Sequence, residues 1–458
     1  MRQPNVLWII ADQLRFHALG FAGDPNARTP AIDALASSGV SCTNATTPSP
    51  VCTPARAALM AAQPGNVTGV ERHGDFLDPS TQTVAHAFAA GGYRTSYVGK
   101  WHLAPESGAH MVSAEGWVGQ DFWVHPRLRG GFQDWFGFNL SNNYYRTYIA
   151  SGEKVEPLAL GGYQTDALTD LSIDYLSERA AKHPTEPWFH VLSYESPHPG
   201  AGQAGGGAGG YPVPEPYASM FQPEALRLRA NVPPDHVTAA REQLAGYYRL
   251  IANLDFNVGR LLEALDSLGQ TDDTLVVFTS DHGEMGGSHG LRNKQVPFDE
   301  SLRVPLLFRL PGRTPLGASL ASPLSLIDIA PTSLGLVGLG RMVGVKGIDH
   351  SEWVTGSAAA AEPPRGAVLV QWNDTRFGFG DHPYRAVRTP RYSFVVGEHD
   401  EFCLLFDRDQ DPFELDNLYG HLGHAAVQQE LSRRLITLLA EAGEEPPHYV
   451  VSRLGHST

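Results

Sequence analysis

The stretch Asn5-Val6-Leu7-Trp8-Ile9-Ile10-Ala11-Asp12-Gln13 decides the fold class. Its first seven residues carry no charge, and all of them except Asn5 are apolar. A continuous apolar run of this length is typical of a strand in a parallel sheet that helices cover on both faces. The run is too short for a membrane span or a signal segment, and no small-residue cleavage site follows it. We therefore expect a buried first strand and a cytoplasmic protein that has no membrane partner.

Helix and strand patterns alternate along the chain after this run. Helix patterns cover residues 30–38, 54–62, 83–90, 166–181 and 237–268, and strand patterns cover residues 94–98, 188–193, 275–278 and 304–310. This alternation predicts an α/β fold with a large mixed, mostly parallel sheet sandwiched by helices.

The composition changes near residues 355–365, which are rich in Ala and Pro. Beyond them, short strand patterns at residues 367–371, 385–387, 392–396 and 402–406 precede a helix pattern at residues 425–442. We expect a smaller C-terminal antiparallel sheet with one helix. The predicted division is a catalytic domain of residues 1–360 and an α+β subdomain of residues 361–458.

Charge and cysteine content exclude two classes of protein. The net charge is −15 without a Lys/Arg cluster, so binding to a nucleic-acid backbone is not expected. The three cysteines, Cys42, Cys52 and Cys403, are too few for a disulfide framework in 458 residues. Recognition of an anionic ligand would have to be local.

Two aspartates, Asp12 and Asp281, come directly after buried strand patterns. Ligands of open α/β sheets bind outside the carboxyl ends of the strands, and two carboxylates brought together there repel unless a cation relieves them. Gln13 and His282, the next residue in each case, offer further ligand atoms for a divalent metal. Taken alone, an aspartate after a strand is usually a turn or helix-cap residue, and spacing cannot pair residues so far apart in the chain.

The segment Cys52-Thr53-Pro54-Ala55-Arg56 places a cysteine before a helix that Pro54 can initiate. The field of the helix N-terminus and the neighbouring guanidinium would stabilise an anion there. A buried structural cysteine is the second interpretation, and local physics leaves both open.

Several segments resemble the sulfatase family in its own order. The C-x-P-x-R pattern of residues 52–56 is similar to the signature that formylglycine-generating enzymes recognise. The matching surroundings are residues 5–13, Gly92-Tyr93-Arg94-Thr95 with Gly99-Lys100-Trp101-His102, Thr279-Ser280-Asp281-His282-Gly283, and Leu404 to Pro412. The resemblance implies an alkaline-phosphatase-like fold and hydrolysis of a sulfate monoester to alcohol and sulfate. The substrate would be a small-molecule or carbohydrate sulfate ester, and the formylglycine-generating enzyme a maturation partner.

The same resemblance implies the roles of individual residues. Cys52 would become formylglycine, and its hydrate would be the nucleophile. One divalent metal ion would be held by this side chain together with Asp12, Gln13, Asp281 and His282. Calcium is the usual ion of the family. Many sulfatases have Asp and Asn where this chain has Gln13 and His282, and an amide and an imidazole shift the preference toward Mn²⁺ or Zn²⁺, with Mg²⁺ a further option.

The remaining catalytic candidates also follow from the resemblance. Arg56 would polarise the hydrate, Lys100 and Lys294 would neutralise the sulfate, His198 would protonate the leaving alcohol, and His102 would accept the proton that releases sulfate. Two rival functions remain open: a phosphonate or phosphate ester hydrolase with the same site, and a catalytically silent binding protein of the same fold. The sequence identifies neither the organic part of the substrate nor the oligomeric state.

Overall fold

The computed structural model describes residues 3–106, 122–154, 156–200, 210–357, 364–373 and 382–455. The strands in these ranges are Asn5–Ala11 (β1), Val40–Cys42 (β2), Ala45–Thr46 (β3), Arg94–Lys100 (β4), Asp134–Phe138 (β5), Tyr148–Ser151 (β6), Leu158–Ala159 (β7), Trp188–Ser193 (β8), Thr274–Ser280 (β9), Leu306–Arg309 (β10), Ala318–Leu320 (β11), Leu324–Ser325 (β12), Val368–Trp372 (β13), Tyr384–Arg388 (β14), Tyr392–Gly397 (β15) and Leu404–Asp407 (β16).

The helices are Pro30–Ser37 (α1), Cys52–Ala61 (α2), Gly65–Thr68 (α3), Val84–Ala90 (α4), Gln164–Lys182 (α5), Val237–Ser267 (α6), Asp299–Leu302 (α7), Ile329–Leu336 (α8), Ser351–Val354 (α9), Ala425–Ala442 (α10) and His448–Leu454 (α11). Across the described ranges, no helix combines the length and apolarity that a bilayer crossing needs.

The main sheet has ten strands in the order β11-β2-β10-β9-β1-β8-β4-β5-β6-β7. Strands β9, β1, β8, β4 and β5 are parallel to their neighbours in this series, whereas β10 and β6 run antiparallel. The predicted fold class, a mixed and mostly parallel sheet, is therefore confirmed. Strand β1 is central, and parallel partners flank it on both sides.

The two faces of β1 explain why its sequence is apolar throughout. Val6, Trp8 and Ile10 pack into a core cluster that includes residues of α2, α4 and α8. Leu7 and Ile9 pack into a second cluster with residues of α1, α5 and α6. Because side chains of a strand alternate between the faces, a strand covered on both sides has no polar period.

The C-terminal sheet is antiparallel in the order β13-β14-β15-β16. One face packs on α10 and α11, while the other packs on Val51, Phe298 and Leu302 of the main body. The predicted strands and terminal helix of this region are confirmed. The predicted division near residue 360 stays a prediction, because residues 358–363 lie outside the described ranges.

Two element boundaries and one whole strand differ from the predictions for local reasons. Helix α2 begins at Cys52 rather than at Pro54, because Val51, with φ −154° and ψ 149°, is its N-cap. The last strand begins at Leu404 rather than at residue 402, because Asp400–Phe402 forms a 3₁₀ turn. Strand β5 was not predicted; its sequence Asp-Trp-Phe-Gly-Phe lies in an aromatic-rich segment without a clear period.

Asp255 of α6 caps the N-terminus of α1 from outside that helix. Its carboxylate accepts hydrogen bonds from the backbone N–H of Ala31 at 3.2 Å and of Ile32 at 2.8 Å. Burial raises the pKa of Asp255 from 3.8 to about 6, although these two hydrogen bonds oppose the shift. Ionisation of Asp255 is therefore more costly in the folded state than in the unfolded state, and its contribution to stability is lost as the pH rises through about 6.

We predict that Asp255→Asn gains stability relative to the parent protein as the pH rises. Between about pH 5 and pH 8 the difference in unfolding free energy should shift by about 1.4 kcal/mol in favour of the variant, because only the parent must ionise a buried carboxyl. Thermal denaturation of both proteins at the two pH values measures this shift. Asp174→Asn on the exposed side of α5 is the control. A gap in melting temperature that is the same at both pH values would contradict the prediction.

Candidate active site

The candidate active site lies where four neighbouring strands of the main sheet end. Ala11 pairs with Ser280 in the β1–β9 register, so Asp12 and Asp281 leave the sheet side by side. Strand β4 ends at Lys100 and strand β8 at Ser193. The register therefore supplies the pairing of the two aspartates that their positions in the sequence could not.

Cys52 is the first residue of α2 and points into the same place. Its Sγ lies 3.1 Å from His282 Nε2 and 3.7 Å from Asp12 Oδ1. Pro54 fits the first turn because its missing N–H has no intrahelical acceptor there. All ten residues of α2 are buried, which explains the alanines of its sequence. Cys52 itself is only 3% exposed.

Arg56 holds the two aspartates together. Its Nε donates to Asp281 Oδ2 at 2.9 Å and its NH2 donates to Asp12 Oδ2 at 3.2 Å. Its NH1 donates to the Lys100 carbonyl oxygen and to Ser193 Oγ. The side chain is fully buried, so a planar guanidinium neutralises like charges where water cannot.

Lys100 is the second buried cation of the site. Its Nζ lies 2.7 Å from Asp12 Oδ2 and 3.5 Å from Glu195 Oε1. Burial by itself would raise the pKa of Asp12, but Lys100, His198, Arg56 and His282 outweigh it and hold that pKa well below 3.8. Asp12 is therefore a carboxylate at any working pH, as a metal ligand must be.

His282 presents a nitrogen lone pair to the centre of the group. Its Nδ1 is hydrogen-bonded to the Gly283 carbonyl oxygen at 3.0 Å, so Nδ1 carries the proton and Nε2 remains unprotonated. Burial and the nearby Lys294 lower the pKa of His282, although Asp281 opposes them. The imidazole is consequently neutral near pH 7.

The donor set fits a divalent metal ion. One ligand atom from each of Asp12, Cys52, Asp281 and His282 lies within 4.8 Å of the other three, and all four residues are buried. Oδ2 of both aspartates contacts Arg56, whereas Asp12 Oδ1 lies 3.7 Å from Cys52 Sγ and Asp281 Oδ1 lies 3.6 Å from His282 Nε2. Two carboxylates and an imidazole suit a divalent cation of intermediate softness.

Gln13 lies beside this group, and hydrogen bonds to two residues outside the group hold its side chain. Its amide nitrogen donates to Glu284, and its amide oxygen accepts a hydrogen bond from Lys294. The Gln13 backbone has φ 67° and donates its N–H to Asp281 Oδ1 at 3.0 Å. Glu284 thereby fixes which way the amide faces, so the predicted ligand atom of Gln13 contacts Lys294.

The two predicted histidines lie at different distances from the cluster. The charges of Lys294, Asp12 and Lys100 act on His198, and burial together with the two lysines lowers the pKa of His198 well below 6.5. The His102 ring instead contacts Glu106 and His73. Within the described ranges, no hydrogen bond joins His102 to Cys52 or Asp12, so its predicted role stays untested.

Three site residues escaped the sequence analysis: Ser193, Glu195 and Glu284. Ser193 is the last residue of the strand pattern 188–193, and Glu195 lies two residues beyond it. Glu284 comes directly after Asp281-His282-Gly283. Glu284 Oε1 accepts hydrogen bonds from Gln243 Nε2 and from the backbone N–H of Gly286 and Asn293. Closeness to a strand end was the available signal.

Comparison with known proteins agrees with this geometry. The family profile described as Sulfatase matches residues 4–339, and that of the N-sulphoglucosamine sulphohydrolase C-terminal region matches residues 287–441. An ulvan-active sulfatase from Formosa agariphila is 36% identical over 446 residues, which cover 97% of this chain and 82% of that protein. The chain belongs to the sulfatase family. The predicted family and reaction class, sulfuric ester hydrolysis, are thus confirmed.

Solved structures place this sulfatase in a wider superfamily. The phosphonate monoester hydrolase of Agrobacterium radiobacter superposes with a TM-score of 0.74 at 26% identity and covers 96% of both chains. A protein in complex with its substrate D-glucosamine-2-N,6-O-disulfate superposes with a TM-score of 0.80 at 19% identity, over 97% of this chain and 99% of that one. At that identity the second likeness concerns the fold alone.

We predict that Arg56→Lys lowers kcat/KM for a sulfate ester by at least about 100-fold, or about 3 kcal/mol. A lysine donates from one nitrogen and cannot join both aspartates and Ser193 as the guanidinium does. Steady-state kinetics measures the loss.

Arg94→Lys is the matched control for this variant. Arg94 also makes a bidentate pair with a carboxylate, Asp134, but it lies at the opposite end of β4. It should keep the parent activity. An Arg56→Lys protein with more than about a tenth of the parent kcat/KM would overturn the role given to Arg56.

Proposed function

We propose that this sulfatase acts through a formylglycine made from Cys52 and a divalent ion held by Asp12, Asp281 and His282, with Gln13 as a further ligand. The observation that carries the proposal is the position of Cys52 Sγ, 3.1 Å from His282 Nε2 and within the four-residue group that could hold an ion. A structural cysteine needs neither contact. When bound, the ion and the hydrated aldehyde supply a Lewis acid and a nucleophilic hydroxyl.

Arg56 and Lys100 prepare the site before the ester arrives. Arg56 keeps both aspartates in one position, and Lys100 pairs with Asp12 on the side of Glu195. Because both cations are buried and already oriented, they need no reorganisation when charge moves toward the leaving oxygen. Lys294 adds a third cation through its contact with Gln13.

His198 is the proposed proton donor to the leaving alcohol. In the ligand-free site its pKa is lowered well below 6.5 by burial and by the two lysines. An anionic ester adds negative charge beside the ring and so opposes that shift. Lys294 assists, and His102 accepts the proton whose removal releases sulfate.

The charges of the site favour a monoanionic ester. Three cations, Arg56, Lys100 and Lys294, face four carboxylates, those of Asp12, Asp281, Glu195 and Glu284. A divalent ion leaves one net positive charge, which a sulfate monoester neutralises. We propose a sulfated carbohydrate as the substrate class, supported by the ulvan-active relative.

A second candidate function is hydrolysis of phosphonate monoesters, which also carry one negative charge. The likeness to a phosphonate monoester hydrolase at 26% identity is the observation that favours it.

Calcium is the proposed ion, because it is the usual ion of the sulfatase family. The imidazole of His282 shifts the preference of the site toward Mn²⁺ or Zn²⁺, with Mg²⁺ a further option.

We predict that Cys52→Ala folds and binds the divalent ion but loses turnover of a sulfate ester. Alanine cannot be oxidised to an aldehyde, so no hydrate forms, while Asp12, Asp281 and His282 remain. Activity, thermal denaturation with and without metal, and intact mass of the parent protein provide the measurements.

Cys403→Ala is the control for Cys52→Ala, because Cys403 is also buried but lies in the C-terminal region. It should retain activity. Substantial turnover by Cys52→Ala, or a parent mass that shows only an unmodified thiol in active protein, would refute the formylglycine proposal.

We predict that an aryl sulfate is turned over at least about 100-fold faster than the matching aryl phosphate monoester at about pH 8, where the phosphate is a dianion. The second negative charge of the phosphate exceeds the one net positive charge of the site with its divalent ion. Measurement of kcat/KM on matched aryl sulfate, phosphate and phosphonate esters and on sulfated sugars provides the test. Faster turnover of the phosphonate than of every sulfate ester would favour the second candidate function.

A further inference from the structure

Outside the Cys52 group, one more cluster in the described ranges has the chemistry of a metal site. His73, His102 and Glu106 each offer a ligand atom, and these atoms lie within 4.8 Å of one another. We call them the His73 cluster. Glu106 Oε1 lies 3.5 Å from His73 Nδ1 and 3.4 Å from His102 Nε2. The two imidazole rings meet edge to face, with their centroids 5.0 Å apart.

The two separations from Glu106 match two edges of a tetrahedral zinc site. Zinc binds imidazole nitrogen and carboxylate oxygen at about 2.0–2.2 Å, so two ligand atoms on a tetrahedron lie about 3.3–3.6 Å apart. The ligand types agree as well, since two imidazoles and one carboxylate suit zinc better than calcium or magnesium. Three protein ligands leave a fourth position for water, as in open zinc sites.

Backbone hydrogen bonds hold the segments that carry His73 and His102 together. His102, with φ 58°, donates its backbone N–H to the Asn139 carbonyl oxygen, and Ala104 donates to Asn139 Oδ1. Leu77 donates its backbone N–H to the Leu103 carbonyl oxygen at 3.0 Å, which joins the His73 loop to the His102 segment. Ordering these loops therefore costs a bound ion little.

One side chain of the His73 cluster is buried, and the other two are partly exposed to solvent. The His102 side chain is 3% exposed, while the side chains of His73 and Glu106 are 24% and 34% exposed. An ion can reach the exposed pair from solvent and then bind the buried imidazole. The cluster carries one negative charge when both histidines are neutral, which favours a divalent cation.

We propose that the His73 cluster is a zinc site separate from the group around Cys52. A zinc ion there occupies His102 Nε2. Since His102 is the proton acceptor in the proposed function, zinc should slow turnover. That consequence rests on the proposed function, whereas the binding site does not.

The test counts zinc ions bound per chain by equilibrium dialysis of the calcium-loaded full-length protein against Zn²⁺. The variants are His73→Ala and the isosteric Glu106→Gln, with His236→Ala as the surface-histidine control and thermal denaturation as the check of folding. We expect one zinc ion fewer per chain in both variants, with affinity at this site reduced by at least about tenfold, the loss that even an outer-shell partner causes. Co²⁺ should give tetrahedral visible absorption in the parent and control proteins that both variants lack.

Equal zinc stoichiometry and affinity in the parent, His73→Ala and Glu106→Gln would overturn the zinc site. Inhibition of turnover by Zn²⁺ is the separate second measurement. His73→Ala should resist zinc concentrations that inhibit the parent protein. If the His73 cluster binds zinc but zinc inhibits the parent and His73→Ala equally, the zinc site stands. The inference that zinc slows turnover by occupying His102 is then wrong. The two measurements therefore separate failure of the binding site from failure of its catalytic consequence.

Discussion

The burial of two carboxylates at adjacent strand ends is the constraint on which the rest of this site depends. The β1–β9 register sets Asp12 beside Asp281, where their charges would repel strongly without water. Arg56 joins one oxygen of each and Lys100 takes a second contact with Asp12. Removing a partner from such a buried group costs about 3–5 kcal/mol, because it leaves a charge uncompensated. In this arrangement Asp12 Oδ1 faces Cys52, and Asp281 Oδ1 faces His282.

Residues around this centre also help to hold its side chains in position. Glu284 orients the Gln13 amide and accepts the backbone N–H of Asn293, which precedes Lys294. Val51, the N-cap of α2, packs under the C-terminal sheet with Leu302. The position of the Cys52 side chain thus depends on β13–β16, although no residue of that sheet belongs to the cluster.

Sequence reasoning succeeded where one strand or one motif carried the information. The apolar runs that became β1 and β8 indicated covered strands, and Pro54 in the Cys52 to Arg56 segment indicated a helix start. It could not pair Asp12 with Asp281 from spacing, because register is a long-range property. Nor could it show that Gln13 contacts Lys294 or that His73 approaches Glu106, since loop packing decides both. Helix α2 began two residues early because a cap depends on the φ and ψ of Val51.

The 3% exposure of Cys52 limits the time at which the proposed oxidation of its thiol could occur. In the folded protein the Cys52 thiol is buried, and the neighbouring Val51 packs against the C-terminal sheet. Strand β16 ends at Asp407, more than 350 residues after Cys52 is synthesised. At typical elongation rates that interval lasts roughly 20 to 70 s. Under the proposed function, oxidation of Cys52 by a separate enzyme would have to precede this packing, so a chain that folds first would keep its thiol.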